Sequence, residues 1–190
     1  MFGRADTICK HPRMIEKLAK AGLEQLLVGF ETVSDNDLEH FRKQCDTKTN
    51  RGAIDILNAN NIRTVAYFLV SPTFVHKDFQ ELSVYIEEMG LSDPIFTILI
   101  PFHGTDLHEE VRDRIRVTDY RYYDFFHTVF DTALPLPEFY DEFARLYERA
   151  YRKDREVIKK LTGPESEEHI KRFEEIFNRI HQLKFHHEAN

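Results

Sequence analysis

An α/β fold of parallel strands is what this sequence predicts, and three observations carry the prediction. Apolar runs at 26–28, 64–70 and 95–100 are short and rich in β-branched or aromatic residues. The stretches between them have helical periodicity, so that strand and helix alternate at intervals of about 30–40 residues. Each run ends in a polar turn: Gly29-Phe30-Glu31-Thr32, Ser71-Pro72 and Pro101-Phe102-His103-Gly104-Thr105. Parallel strands are buried on both faces and read as continuous apolar runs, and loops past their carboxyl ends bind the ligands of such folds. The polar turns therefore mark the candidate site.

Residues 12–22 read as a complete short helix, with Pro12 in the first turn, Met14, Ile15, Leu18 and Ala19 on one face, and Gly22 as the stop. A strand follows at 25–31. Ser34 to Asp37 offers N-cap candidates for a helix carrying Leu38 and Phe41 inward. Thr49 or Asn50 caps the next helix, whose stripe of Ala53, Ile54 and Leu57 is broken at Asn60-Asn61. After the strand at 64–70, Phe79, Leu82, Tyr85, Ile86 and Met89 keep helical spacing up to Gly90, and Pro94 opens the following strand. Such units give either a doubly wound sheet or part of a (β/α) barrel. Three clear strands cannot close a barrel, so the chain reads as beginning in the middle of one.

Past Val117 the character changes. Residues Tyr120 to His127 are dense in aromatics, Leu134-Pro135-Leu136-Pro137 breaks the backbone, and from Glu138 a helix places Phe139, Phe143, Leu146, Tyr147 and Ala150 on one side. Gly163-Pro164 is the best linker. Ser166 begins a last amphipathic helix bearing Ile170, Phe173, Ile176, Phe177 and Ile180.

Composition removes several function classes. A formal charge of −7 offers no basic face for nucleic acid or anionic lipid. No apolar run approaches the roughly 20 residues of a membrane span, and no signal sequence opens the chain, which predicts a cytoplasmic protein without a transmembrane segment. Cys9 and Cys45 stand alone and are expected as reduced thiols. There is no Gly-x-Ser-x-Gly elbow, phosphate-binding Gly loop, dinucleotide fingerprint or kinase signature. Ten histidines include no His-Glu-x-x-His helix, and His103, His108 and Glu109 lack a third ligand at a typical offset, so no metal site is expected.

Four motifs in order carry a family resemblance. They are Arg4-Ala5-Asp6; Leu18 to Gly22 followed by Leu27 to Thr32, then Leu38 and Lys43; the strand ending in Ser71-Pro72; and Pro101 to Leu107. Together they resemble the second half of a radical S-adenosylmethionine (SAM) barrel. The segment Asp119 to His127, the Leu134 to Tyr140 stretch and residues 143–151 narrow the resemblance to cobalamin-binding radical SAM methyltransferases, and within these to the hopanoid C-3 methylases. The resemblance implies a partial (β/α) barrel of radical SAM type, with about three to four parallel strands at 1–117 and a helical extension at 118–190. In that family a SAM-derived radical abstracts hydrogen from an unactivated carbon and methylcobalamin supplies the methyl group.

Cofactor residues follow from the same motifs. The resemblance assigns the SAM contacts to Glu31, Lys43, Arg4, Ser71 and Pro101. Glu31 would accept from a ribose diol or an amine, and Lys43 would meet the SAM carboxylate. Each also has a plain reading: Glu31 as a surface carboxylate capping the next turn or paired with Lys43, Lys43 as a solvated helix lysine, and Arg4 with Asp6 as a salt bridge. Ser71-Pro72 departs from the family's Gly-x-Pro turn, and His103 replaces a proline and reads best as a turn histidine. The 4Fe-4S cluster needs three thiolates; with two isolated cysteines its ligands, like the cobalamin site, fall in the missing N-terminal half of a parent enzyme. This chain alone is then expected to be inactive. The aromatic block is either packing or a wall for an apolar, polycyclic lipid substrate. The alternative function is a non-catalytic interaction module that keeps half a barrel. In either case the strand at 1–4 presents an open edge that predicts pairing with a second copy.

Overall fold

The structure, a computed structural model, describes residues 1–31 and 47–151, with the side chains of Glu31 and Thr47 excepted, and positions 171, 175, 178, 179, 182 and 183. The expected helix carrying Leu38 and Phe41, Lys43, Cys45, the linker at 163–164 and the helix expected from Ser166 lie outside the described residues. Strands β1 (Phe2–Arg4), β2 (Gln25–Glu31), β3 (Arg63–Val70) and β4 (Asp93–Ile98) form one sheet in the order β1-β2-β3-β4. It is a parallel sheet with helices between its strands, a partial (β/α) barrel. β1 supplies the strand that the Arg4 motif implied. Helices are α1 (Ala5–Lys10), α2 (Pro12–Lys20), α3 (Thr47–Ala59), α4 (His76–Met89), α5 (Asp106–Val111) and α6 (Leu136–Ala150).

Two boundaries differ from expectation for physical reasons. Thr49 and Asn50 do not cap α3, which already begins at Thr47; Asn50 is buried inside it and the Thr49 carbonyl accepts from the Cys9 thiol at 3.3 Å. α6 starts at Leu136, within the proline-rich break, because a proline in the first turn forfeits only an N–H that has no helical partner. α1 escaped the sequence reading altogether: its six residues are too few for periodicity, and it stops at His11 because Pro12 disfavours a helical residue before it.

The described residues divide into two compact units. The first comprises 1–69 and 81–96, the second 70–80 and 97 onward. In the first unit each helix leading into a strand ends the same way. A residue with positive φ (Gly22 at 96°, Asn61 at 55°, Gly90 at 66°) follows α2, α3 and α4 respectively. The next residue, Leu23, Ile62 or Leu91, donates its N–H back to the carbonyl of Leu18, Leu57 or Ile86 at 3.0–3.2 Å. This satisfies a carbonyl that the helix end leaves free, and it delivers Ile62 and Leu91 to the core while Leu23 is half-buried. The core itself is an aromatic line across the strands. Phe30 lies 5.8 Å from Phe68, which stacks on Phe96 at 6.0 Å, and all three are fully buried. Burying each such ring stabilises by about 1.5–3 kcal/mol.

In the second unit Phe79 meets Phe74 and Phe139 edge-on at 5.5 and 5.6 Å. α6 buries Phe139, Phe143, Leu146 and Tyr147 of the face that its sequence spacing marked, with Ala150 only half-buried, and it also buries Tyr140, which that spacing did not mark. Glu142, also buried, accepts from His76 at 3.0 Å and Arg145 at 2.9 Å. A smaller cluster of Ile100, Tyr123 and Val129 is packed by Ile115, Val117 and Phe130.

Candidate functional site

Parallel strands carry their functional groups at their carboxyl ends, and four of the five residues assigned by resemblance stand there. Arg4 ends β1 and Glu31 ends β2, in the first unit; Ser71 directly follows β3 and Pro101 lies three residues past β4, in the second. Lys43 lies outside the described residues. Arg4 pairs with Gly29 across the β1–β2 ladder, two residues before Glu31. Between Gly29 and Glu31 the register against β3 breaks: Gly29 faces Tyr67, yet Glu31 faces Phe68. Phe30 is thus an extra residue, a bulge in the strand that bears the Glu31 motif. Bulges re-aim strand ends and recur beside sites. The sequence held no periodic signal for it, since Leu26, Val28 and Phe30 continue a regular alternation of buried residues.

Arg4 spends its guanidinium locally. Its Nε donates to Asp6 at 3.0 Å, and Lys10 adds a second cation 3.5 Å from the same carboxylate. That hydrogen bond from Arg4 holds the Asp6 carboxyl below its usual range, against the opposing effect of desolvation. The salt bridge weighed for Arg4 and Asp6 is therefore formed. In the other unit the Ser71 hydroxyl accepts from the Thr73 N–H at 3.2 Å and bonds the Thr73 hydroxyl at 2.7 Å, while Phe74 donates to the Ser71 carbonyl at 3.0 Å. Serine closes its own turn where the family pattern has glycine.

The loop after β4 is braced from within. Gly104 takes a positive φ of 82°, and Thr105 both donates to the Phe102 carbonyl at 2.7 Å and caps α5 by accepting from the His108 N–H at 3.2 Å. His103 sits in this turn, as expected. It also does something unforeseen: its ring lies 4.1 Å from that of His108, 4.8 Å from Tyr120 and 5.8 Å from Tyr123. Tyr123 is buried, which pushes its phenol upward. Among the described residues no group of three or more His, Cys, Asp or Glu is placed to hold a metal.

Sequence reading also missed the Asp124–His127 pair, for which an Asp-x-x-His spacing was the only available signal. One Asp124 oxygen accepts from the Phe126 and His127 N–H groups at 2.9 Å, and the other bonds the His127 ring at 2.8 Å. Burial opposes ionisation of Asp124, but these bonds outweigh it and lower its titration. Between them Phe125 adopts a φ of 70°, unusual for a bulky side chain. Its carbonyl accepts from the Ile98 N–H at 2.7 Å, at the end of β4.

Comparison with known proteins bears on what these strand ends serve. The chain is 25% identical over 166 residues to hopanoid C-3 methylase of Methylococcus capsulatus, covering 84% of this chain and 32% of that protein. It is 28% identical over 155 residues to bacteriochlorophyllide d C-12(1)-methyltransferase of Chlorobaculum tepidum, covering 80% and 34%. The chain resembles radical SAM methyltransferases of the hopanoid C-3 methylase kind. A third relative, anaerobic magnesium-protoporphyrin IX monomethyl ester cyclase of Cereibacter sphaeroides, is 27% identical over 152 residues, covering 79% and 25%. No protein-family model matches the sequence. The chain spans a quarter to a third of the length of these relatives. No helix among the described residues is long and apolar enough to cross a membrane.

Proposed function

We propose that this chain is the C-terminal portion of a cobalamin-dependent radical SAM methyltransferase, working in the cytoplasm on an apolar polycyclic substrate. That substrate is a hopanoid or other polycyclic lipid, or a tetrapyrrole of the kind for which two of its relatives are named. Residues 1–117 act as the second half of the barrel and 118–190 as the extension. The observation that carries the reading is the similarity along about four-fifths of the chain, joined to the placement of Arg4, Glu31, Ser71 and Pro101 at or just past strand carboxyl ends.

The residues present fit SAM and do not fit the cluster. Glu31, at a bulged strand end, suits a ribose or amine partner, Lys43 a carboxylate, and the Ser71 and Pro101 turns an adenine. A 4Fe-4S cluster with an open iron needs three thiolates, and the sequence holds two cysteines. The cluster ligands therefore belong to another part of the parent enzyme, where the resemblance also puts the cobalamin. Accordingly, anaerobic reconstitution with iron and sulfide leaves this chain without stable cluster absorbance. Stoichiometric incorporation that disappears in Cys9→Ser or Cys45→Ser would overturn that statement.

The deciding test is SAM affinity in the parent enzyme. Losing one charge-assisted hydrogen bond costs about 1.5–3 kcal/mol, roughly ten-fold to a hundred-fold in affinity. Glu31→Gln and Lys43→Met each weaken SAM binding by that factor with little change in thermal stability. If affinity is unchanged in both, or both act only by unfolding, the two residues are a surface pair and the site assignment fails.

A further inference from the structure

We propose that Phe102, His103, Tyr120 and Phe125 form the seat of a planar, metal-bearing tetrapyrrole, with the His103 imidazole as axial ligand to its central metal. This rests on the reading above and chooses between its two substrate classes.

Three observations converge on it. Among the described residues from 97 onward, the large hydrophobic side chains left exposed are all aromatic: Phe102 at 37%, Tyr120 at 63%, Phe125 at 40% and Phe126 at 38%. Phe102 lies 5.3 Å from Phe125, and the buried Tyr123 links Phe102 to Tyr120, at 6.2 and 5.3 Å. An aliphatic polycycle is served equally well by leucine or isoleucine; a conjugated ring gains offset or edge contacts specifically from aromatic partners. Clustered apolar exposure of this kind marks an interaction site.

His103 is the second observation. It is exposed, yet three rings clamp its plane, and no described residue hydrogen-bonds or ion-pairs with its nitrogens. A fixed, accessible imidazole is a common metal ligand in its neutral form. The His108 ring against it is nine-tenths buried, and its Nδ1 makes no hydrogen bond, although the exposed Glu109 carboxylate lies 3.5 Å away. The third is backbone strain: Phe125 is held at its positive φ by Asp124 and by the Ile98 N–H. Strain of that sort persists where the surroundings over-determine it, and it concentrates at ligand clamps.

The test uses zinc protoporphyrin IX, metal-free protoporphyrin IX and a pentacyclic triterpenoid with the full chain. Zinc protoporphyrin binds with the Soret shift of an axial imidazole. His103→Ala abolishes that shift and weakens the zinc probe by at least about ten-fold, while metal-free protoporphyrin binds wild type and variant alike. Added imidazole restores the shift in His103→Gly. Phe125→Ser weakens both porphyrins. Circular dichroism verifies that each variant is folded. Equal binding of the two porphyrins with no effect of His103→Ala overturns the ligand role. Binding of the triterpenoid alone, or of no probe, overturns the proposal as a whole. Failure here with SAM affinity still dependent on Glu31 and Lys43 removes this inference alone; the reverse result removes the SAM assignment alone.

Discussion

Removing one oxygen atom, in Tyr140→Phe, tests how the aromatic segment is fastened. Tyr140 is fully buried, and its hydroxyl accepts the Thr128 N–H at 3.0 Å, joining the end of the 120–128 segment to α6. Burial of that phenol pushes its ionisation far above the ordinary value, so the group acts as a neutral hydroxyl at every working pH. Phenylalanine keeps the ring and its edge-on contact with Phe139 at 5.7 Å. What changes is that the Thr128 N–H, in a residue 1% exposed, loses an acceptor that water cannot readily replace. Stranding a buried donor costs about 1–3 kcal/mol. For a chain of this size each kcal/mol moves Tm by about 2–4 °C, so the fall is about 2–12 °C. Because the chain divides into two units, calorimetry should be joined by hydrogen exchange, where the Thr128 amide loses protection before amides of β2 and β3. Tyr123→Phe is the control: its hydroxyl reaches the Val117 carbonyl only at 3.5 Å, and its loss should cost no more than about 1 kcal/mol. If Tyr140→Phe melts like wild type with Thr128 still protected, the bond does not hold the segment.

Other outcomes follow from the same geometry. A Cβ on Gly3 would stand 2.9 Å from Leu26 Cδ2, and Leu26 is 2% exposed, so Gly3→Ala destabilises by about 1–3 kcal/mol and Leu26→Val in the same chain recovers part of it in urea melts. Asp124 has a folded titration point below its usual 3.8, so it stabilises the fold above pH 4 or so and ceases to as pH falls through the lowered value. Asp124→Asn should therefore be less stable than wild type at neutral pH, with the gap closing below about pH 4; a pH-independent gap refutes the linkage. At the sheet edge β1 pairs only with β2 among the described residues and leaves Phe2 82% exposed, so sedimentation should show self-association that Phe2→Lys diminishes. A strictly monomeric wild type at high concentration counts against that edge.

Much of the strand and helix order was legible because burial on both faces leaves continuous apolar runs, and because Gly22, Asn61 and Gly90 punctuate the helices where a positive φ is required. α1 was not legible, since six residues carry too little pattern. Nor was the bulge at Phe30, which leaves the buried alternation of its strand intact and shows only in the pairing with β3. At the site, motif order located the strand-end residues. The ring stack of His103 and the Asp124–His127 pair were invisible for a different reason: they depend on where segments that lack periodicity fold back, and a turn histidine reads alike whether solvent or tyrosine lies beside it.

The extra residue in β2 has a consequence for how this scaffold can vary. Upstream of it, Leu26 and Val28 are locked to β3 by the core they fill; downstream, the pairing starts afresh, with Glu31 opposite Phe68. The strand is therefore two separately addressable pieces, an anchor and a pointer. Substitution at Glu31 changes the pointer without re-threading the anchor, whereas deleting Phe30 would move Glu31 into the position that a buried ring now fills, where an unpaired carboxylate is not tolerated.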